Sequence, residues 1–467
     1  MKIGLEVHCQ LLTQTKLFCR CPNRVAKEPN TLTCDYCTGL PGSKPRLNAT
    51  AVEYALKIGL ALDCSFPKET FFSRKSYFYP DMGKNFQITQ YEIPIAKDGF
   101  LNVNGKKIRI TRIQVEEDPA RMVHAGTITH ADYVLVDYNR SGVPLCEIVT
   151  APDFSSPKEA RVFLQELSSI LEYLGVYDSN TEGSMRVDAN ISVAETRVEV
   201  KNISGFKDVE KALQYEIIRQ QNLIKRGQSV ARETRAWDAP AGVTRSLRMK
   251  EGEDEYGYIF EPDLPFITTE SAASLKKALP EFAHQKVQRY KKEFGIAKEL
   301  SEAITSEPNL AKMFEQVVKE IDSQFAAKWF AGNILKTLNF NNLKINDTLI
   351  KAENIVMLLR RIREGKTTER TADLILRDLV ELSEKGQEAS DLKLVEKLIN
   401  IAPQRIFDPK ALEPVVKEVL NENPKAIVDY KSGKKEALNF LVGAVMKKTE
   451  GRGDSETIRK LLTKYLA

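Results

Sequence analysis

The ten residues SMRVDANISV, at positions 184–193, alternate apolar and polar side chains with a period of two, as a β-strand does. The apolar side chains would point to one face of the strand, and the other face would carry Arg186, Asp188, Asn190 and Ser192. Short Asp and Asn side chains are poor strand formers, so they are unusual on a face that is merely solvated. The stretch therefore predicts a strand with one buried face. Its polar face is either a solvated edge or the floor of a site for a metal ion or a phosphate.

The composition is typical of a soluble protein with several domains. The chain has 467 residues, of which 42% are hydrophobic and 28% charged, and this length favours two to four domains. No run approaches the ~18 apolar residues of a membrane span, and the N-terminus lacks the pattern of a signal peptide. The seven cysteines include only two close pairs, unlike a secreted disulfide framework. We therefore expect a cytoplasmic protein with no membrane association.

The order of predicted elements favours the α+β class. Strands with intervening helices fill the first part of the chain, and helices alone follow from about residue 271. The Asn104-Gly105 pair predicts a hairpin turn, and Ser156 followed by Pro157 predicts the start of a helix. The predicted strands include 3–11, 107–115, 133–138, 185–193 and 197–201, and the predicted helices include 49–62, 157–174 and 208–226.

Three domains are predicted along the chain, with a linker flanked by Pro403 and Pro409. Residues 425–467 hold ten Lys or Arg and five Asp or Glu, a surplus of 10 − 5 = +5. Such a surplus suits weak binding to a phosphate backbone, although a solvated helical surface explains it equally well. The predicted domains are 1–268, with a zinc-binding loop at about 17–42, then 269–404 and 405–467.

Four cysteines have the spacing of a zinc site. Cys19 and Cys21 form one close pair, and Cys34 and Cys37 form a second pair after twelve intervening residues. Two tight turns that each present two thiolates match the tetrahedral coordination of structural zinc. The alternative is a set of reduced thiols without a metal.

Carboxylates near predicted strand ends suggest a second metal site, for a hard cation that binds oxygen ligands. Glu6 and His8 would lie on the same face of the first strand. The run 115–118 bunches three carboxylates, which repel one another unless a cation or basic side chains neutralise them. Together with Asp188, these groups could hold Mg²⁺, which binds few carboxylates and keeps water or phosphate oxygens as its other ligands. An ion pair and a solvated turn are the simpler alternatives.

The run 74–81, RKSYFYPD, sets two cations beside three aromatic rings. Such a loop could hold phosphates, stack on an adenine, or fill a domain edge. A phosphate-binding loop of the Walker type is not indicated, because Gly365-Lys366-Thr367 lacks the required first glycine, its position being occupied by Arg360. ATP chemistry would then need a different architecture that is centred on a metal.

Taken together, these segments resemble one family, the B subunits of the glutamine-dependent aspartyl/glutamyl-tRNA amidotransferases. The resemblance covers essentially the whole chain. It rests on the runs 3–8, 74–81, 115–118, 139–147 (NRSGVPLCE), 182–193, 199–202, 232–237 (RETRAW), 261–264 (EPDL) and 440–448 (FLVGAVMKK).

The resemblance implies a carbon–nitrogen ligase that is built on a cradle-like catalytic domain. ATP would phosphorylate the side-chain carboxylate of Asp or Glu misacylated onto tRNA. Ammonia, released from glutamine by the amidase (A) subunit and channelled to the B subunit, would then displace the phosphate. The implied partners are the amidase (A) subunit, the small (C) subunit and misacylated tRNA, and the implied cofactors are ATP, Mg²⁺ and structural Zn²⁺.

Carried over to this sequence, the resemblance implies specific site residues. Lys75 would contact a phosphate or the aminoacyl group. Arg74, Glu147 and Asn190 are further candidates for binding ATP or substrate. The residues implied around Mg²⁺ are Glu6, His8, Glu117 and Asp188.

Several positions depart from the family pattern. Gln114 stands where many relatives have His, and Pro119-Ala120-Arg121 replaces a common Ala-Gly-Lys. Met82-Gly83 replaces Leu-Pro, and residues 256–258 replace a Tyr-Arg-Tyr pattern. The implied metal ligands are untouched, so the expected reaction is unchanged.

Two alternatives remain open. A glutamate-specific archaeal homologue carries a large inserted domain, for which this chain has no room. A non-catalytic scaffold that binds tRNA would keep the zinc loop and the basic tail, but it would not depend on Asp188 for amide formation.

Overall fold

A computed structural model describes residues 1–127, 130–181, 183–249, 257–386, 391–401, 408–432, 434, 436–449 and 453–466. The chain divides into two compact units, 1–282 and 283–467. Strands and helices mix in the first unit and only helices follow in the second, so the predicted α+β class is confirmed. The predicted division into three domains stays a prediction. Pro403 and residue 256 lie outside the described residues, while Pro409 is the first residue of a helix.

The first unit contains fifteen strands and four α-helices among the residues that are described. In chain order they are β1 (Lys2–Gln10), α1 (Ala49–Ala61), β2 (Glu69–Thr70), β3 (Ser73–Ser76), β4 (Phe86–Thr89), β5 (Ala96–Val103), β6 (Lys106–Glu117), β7 (Arg121–Thr127), β8 (His130–Asp137), β9 (Pro144–Thr150), α2 (Pro157–Tyr173), β10 (Met185–Ser192), β11 (Val198–Ile203), α3 (Phe206–Lys225), β12 (Glu233–Asp238), β13 (Val243–Met249), β14 (Ile259–Phe260), β15 (Ile267–Thr268) and α4 (Ala272–Leu275).

An eight-stranded sheet with the order β13-β12-β11-β10-β1-β9-β6-β5 organises this unit. Neighbouring strands are antiparallel except β11 and β12, which are parallel. The helices α1, α2 and α3 contact β6, β5 and β10. Apolar side chains of these strands and helices form one buried cluster, so one face of the sheet is core. The opposite face is free to carry polar side chains.

Local signals in the sequence explain where several elements begin and turn. The Ser156 hydroxyl accepts a hydrogen bond from the Glu159 amide at 3.2 Å, which caps α2 as predicted. Asn104 and Gly105 join β5 to β6 with φ of 50° and 84°. Two positive φ angles are what a tight hairpin turn requires, and Asn-Gly adopts them at low cost. The predicted hairpin is therefore confirmed.

The second unit contains twelve α-helices within the described part of the chain. They are α5 (Ala283–Phe294), α6 (Lys298–Thr305), α7 (Pro308–Val317), α8 (Ser323–Trp329), α9 (Leu335–Phe340), α10 (Ala352–Arg363), α11 (Glu369–Glu384), α12 (Leu392–Ile401), α13 (Pro409–Glu422), α14 (Pro424–Lys431), α15 (Glu436–Lys448) and α16 (Ser455–Leu466). Their buried apolar side chains form two clusters, one between Tyr290 and Val395 and the other between Leu412 and Leu466.

Glu315 ties α7 to α5 and gives the second unit a pH-dependent contact. Its carboxylate accepts hydrogen bonds from Lys286 at 2.6 Å and from Tyr290 at 2.9 Å, and Arg289 also donates to it. Burial alone would raise the pKa of Glu315, but these hydrogen bonds outweigh burial and lower it. Because the folded-state pKa is lowered, the contact stabilises the fold above the pKa of the unfolded carboxyl. This stabilisation is lost as the pH falls through the folded-state pKa.

We therefore expect Glu315→Gln to reduce the free energy of unfolding at pH 7 by about 1 kcal/mol, since the charges are partly screened by solvent. Urea unfolding at pH 7 and pH 3 should show this difference shrinking at the lower pH. Glu320→Gln is the matched control, because Glu320 makes an exposed pair with Arg360. An equal loss at both pH values would contradict the expectation.

Candidate active site

The polar face of the sheet brings together side chains from five adjacent strands, β11, β10, β1, β9 and β6. His8 on β1 lies opposite Glu147 on β9 and Arg186 on β10. Glu6, two residues earlier on the same face, lies opposite Asp188. Side chains that pair directly across antiparallel strands are close neighbours. The register therefore gathers residues that are far apart in the sequence into one polar surface.

A first carboxylate cluster is formed by Glu6, Asp188 and Glu199, whose oxygens lie within 4.8 Å of one another. Asn190 donates a hydrogen bond to Glu6 at 2.8 Å. The ammonium of Lys201 lies 3.8 Å from Asp188 and 3.6 Å from Glu199. Three carboxylates this close are stabilised by one lysine only in part. The donor set of carboxylate oxygens fits Mg²⁺.

Two backbone features hold Asp188 in place. Its Oδ1 accepts a hydrogen bond from the Asn202 amide at 2.9 Å. Asn202 itself has a φ of 59°, in the left-handed region that Asn tolerates better than most residues. The irregular pairing of β10 with β11 near Asn202 thus aims a backbone donor at the carboxylate.

A second cluster lies beside the first and contains His8, Glu116 and Glu147. His8 Nε2 is 3.5 Å from Glu116 Oε1. Burial, followed by the charge of Glu116, raises the pKa of Glu147 to about 7. Burial lowers the pKa of His8, but the charges of Glu147, Glu116 and Asp188 outweigh it, so the pKa of His8 is raised. The cluster thus combines two acidic groups with an imidazole that readily holds a proton.

Gln114, the position that departs from the family pattern, is part of this second cluster. Its side-chain amide donates to Glu147 and, at 3.2 Å, to the hydroxyl of Thr89. Gln114 Oε1 is buried and has no hydrogen-bond partner among the described residues. An amide at this position can hold Glu147 by hydrogen bonding, but it cannot carry the charge of a protonated histidine.

The three consecutive carboxylates that close β6 do not form one group. Glu116 joins His8, as described above. Glu117 is buried and lies 2.6 Å from the ammonium of Lys84, and it also accepts from the Ile88 amide. Asp118 is buried between Arg140 and Arg186, with Arg186 donating at 2.6 Å. Basic side chains therefore neutralise Glu117 and Asp118, and Glu117 lies outside both metal-compatible clusters.

Arg74 and Lys75, the two cations of the run 74–81 (the aromatic loop), lie on β3. Arg74 donates to Glu261 through two hydrogen bonds of 2.7 and 2.8 Å and lies 4.7 Å from the ring centroid of Phe86. Lys75 is opposite Gln87 on β4. The Gln87 amide in turn donates to the backbone carbonyl of Glu117. The structure therefore fixes Arg74 in an ion pair and places Lys75 on a small sheet that contacts β6.

The four predicted zinc ligands come together. The sulfurs of Cys19, Cys21, Cys34 and Cys37 all lie within 4.8 Å of one another. The Cys21–Cys37 and Cys34–Cys37 pairs are 3.9 and 3.7 Å apart. Tetrahedral zinc with Zn–S bonds of about 2.3 Å needs sulfurs about 3.8 Å apart, so the four thiols fit this metal.

A cavity of about 440 Å³ adjoins the first carboxylate cluster. Glu6, Asn190 and Val149 are among the residues that line it. Its charged lining is mixed, with Lys2 and Arg197 beside Glu6 and Glu195. A cavity of this size can hold a small molecule.

Sequence reasoning missed Glu116 as a separate ligand, and it missed Glu199 and Lys201. The alternation of β11 could have placed Glu199 and Lys201 on one face. Their approach to Asp188, however, depends on β11 pairing with β10, which no local pattern specifies.

Among the described residues, none of the helices combines the length and the apolar character that a bilayer crossing requires.

Residues 1–274 match the family model of the GatB/GatE catalytic domain, and residues 312–466 match that of the GatB domain. The chain is 45% identical, over 474 aligned residues, to the B subunit of the aspartyl/glutamyl-tRNA(Asn/Gln) amidotransferase of Methanoregula boonei, with 99% of this chain and 98% of that protein covered. It is 43% identical, over 481 residues, to the protein of the same name from Thermotoga maritima, with the same coverage. The chain therefore belongs to the family of aspartyl/glutamyl-tRNA(Asn/Gln) amidotransferase B subunits.

Proposed function

We propose that this chain is the subunit of a glutamine-dependent tRNA amidotransferase that activates Asp or Glu misacylated onto tRNA. The names and full-length similarity of its relatives support this proposal. The observation that carries it is the convergence of two carboxylate clusters on one polar face, beside a cavity of about 440 Å³. A phosphoryl transfer to a carboxylate brings several negative charges together, and such clusters can bind the cations that neutralise them.

The proposed reaction has two steps. A side-chain carboxylate oxygen of the esterified amino acid attacks the γ-phosphorus of ATP, and ADP leaves. The nitrogen lone pair of ammonia then attacks the acyl carbon, the bond from that carbon to the phosphate oxygen breaks, and nitrogen loses a proton. Phosphorylation is needed because an oxide ion is a poor leaving group, whereas phosphate is a good one.

We assign Glu6 and Asp188, with Glu199, to a magnesium site, and His8, with Glu116 and Glu147, to a neighbouring site of the same kind. Bound Mg²⁺ would neutralise phosphate charge during the transfer. The lysine beside the first cluster, Lys201, would balance part of its charge before the nucleotide binds.

The remaining predicted residues keep supporting roles in this proposal. Lys75 would contact a phosphate or the aminoacyl group, and Asn190 would orient Glu6 through its hydrogen bond. Arg74 would act by holding the aromatic loop through Glu261. Glu117 could serve as a metal ligand only after release from Lys84.

The proposed cofactors are ATP, Mg²⁺ and one structural zinc ion held by the four cysteines. The proposed partners are the amidase (A) subunit, which would supply ammonia, the small (C) subunit, and misacylated tRNA. Since aminoacyl-tRNA is its substrate, we expect the complex to work in the cytoplasm.

The proposal is tested by measuring ADP release from the assembled complex. We expect ADP release from ATP to require misacylated tRNA and to be absent with uncharged tRNA. A complex that binds tRNA but releases ADP equally with charged and uncharged tRNA would favour a scaffold that does not activate the carboxylate.

We expect removal of residues 410–467 to weaken tRNA binding by roughly tenfold, because the basic tail would no longer contact phosphates. Helices α13 to α16 share their own apolar cluster, so their removal leaves the core between Tyr290 and Val395 covered by its own helices. Filter binding of tRNA at two salt concentrations measures the loss. Unchanged affinity in a truncated complex that still hydrolyses glutamine would remove the tail from tRNA recognition.

A further inference from the structure

Arg112 on β6 is a cation of the polar face that has no partner among the described residues. Its Nε is buried and has no hydrogen-bond acceptor, and its guanidinium forms no ion pair with any residue that the structure describes. By contrast, Arg109, on the same strand, is bound to Asp153 by hydrogen bonds of 2.6 and 2.9 Å. Leaving a buried charged donor unsatisfied is costly, so an acceptor is expected when the protein works.

The register places Arg112 in line with the first carboxylate cluster. Arg112 pairs with Val149 on β9, and Val149 pairs with Glu6 on β1, which in turn lies opposite Asp188. Two strand spacings separate the backbones of Arg112 and Glu6, or about 9–10 Å. The interval between them is occupied by Val149, which lines the cavity and whose side chain offers no polar group. A ligand lying over Val149 could therefore reach both the carboxylate cluster and Arg112.

The surroundings of Arg112 also favour an anionic ligand over an internal partner. Glu147 is close enough for the charge of Arg112 to lower its pKa, yet the two form no ion pair. Glu147 instead accepts from Gln114 and shares the second cluster with His8.

We propose that Arg112 binds an oxyanion of the substrate, either the side-chain carboxylate of the esterified amino acid or a phosphoryl group of ATP. The planar fork of an arginine matches both groups through two parallel hydrogen bonds. The inference rests on the proposed function for the identity of the ligand, while the unpartnered guanidinium is a property of the fold. Arg112 would hold one end of the reacting pair while the carboxylate cluster holds the other.

The test uses the assembled complex with Arg112→Gln, Arg112→Lys and the control Arg109→Gln. Calorimetry measures binding of two probes, ATP with Mg²⁺ and 3′-aspartylamido-3′-deoxyadenosine, a stable analogue of the charged tRNA end. Arg112→Gln should weaken one probe by roughly 10- to 100-fold. Arg112→Lys should recover part of the loss, because it keeps the charge without the fork. Arg109→Gln should change neither probe by more than about twofold.

The pattern across the two probes identifies the anion. Weaker binding of ATP alone assigns Arg112 to a phosphoryl group, and weaker binding of the analogue alone assigns it to the acyl carboxylate. Unchanged binding of both probes, in variants with wild-type circular dichroism, would overturn the proposal. These binding measurements need no turnover, so they test Arg112 even if the complex forms no amide. Absence of amide formation would count against the proposed function alone.

Discussion

Replacing Asp188 with Asn or Ala should greatly slow amide formation while tRNA still binds with normal affinity. Asp188 is one of three carboxylates in the first cluster and lies 3.8 Å from Lys201. Asn keeps an oxygen that can accept from the Asn202 amide, as Asp188 does at 2.9 Å, but it carries no charge to hold a cation. Loss of such a charged group from a reaction centre lowers kcat on the order of 10²–10³-fold.

The matched control is Asp238→Asn, which removes a carboxylate from β12 on the same sheet. Asp238 forms an exposed pair with Arg245 and belongs to neither cluster. The Asp188 variants and this control should be compared by the initial rate of amide formation, by tRNA affinity and by circular dichroism. Turnover of Asp188→Ala at the wild-type rate would refute the assignment of the site.

Loss of the four proposed zinc ligands should have the second large effect, which is on stability. We expect wild-type protein to contain about one zinc ion per chain, and Cys34→Ser with Cys37→Ser to contain none. Cys37 and its neighbour Tyr36 are buried in the main core of the first unit. Because structural zinc contributes several kcal/mol to folding, the double variant should unfold at a clearly lower temperature.

Loss of the zinc site should also destabilise the loop that precedes β4, which contains Gly83 and Lys84. The Lys84 ammonium contacts both the Tyr36 hydroxyl, at 2.8 Å, and Glu117. Gly39 packs so closely on Gly83 that an added Cβ would lie 2.4 Å from its backbone. Metal analysis measures the zinc content, and thermal unfolding measures the loss of stability. Cys64→Ser is the control, since Cys64 belongs to no metal-compatible group among the described residues. Wild-type protein that contains no zinc would contradict the prediction.

Local signals in the sequence predicted much of the fold. The alternation at 184–193 predicted β10, which spans Met185–Ser192 with its apolar residues buried. The spacing of the four cysteines predicted their convergence, because each pair lies within one turn of the chain. Both predictions depend on contacts between residues close together in the sequence.

The composition of the site depended on pairing between distant strands, which local patterns do not specify. Glu116 and Glu117 were predicted to belong to one cluster of carboxylates, but the side chains of consecutive strand residues point to opposite faces. Only Glu116 therefore reaches His8, and Glu117 is held by Lys84. Arg186 could not be assigned from the sequence because its partner, Asp118, is sixty-eight residues away.

The most direct test of the proposed function is amide formation by a complex of this chain reconstituted with the proposed amidase and small subunits. ATP, glutamine and either Asp-tRNA(Asn) or Glu-tRNA(Gln) are supplied, and the amino acid released from the tRNA is identified. A complex containing the Thermotoga maritima B subunit, assembled with its own partners, serves as the positive control. We predict ATP-dependent formation of Asn, Gln or both. Failure to form either amide, in a complex that hydrolyses glutamine and binds both tRNAs, would contradict the account.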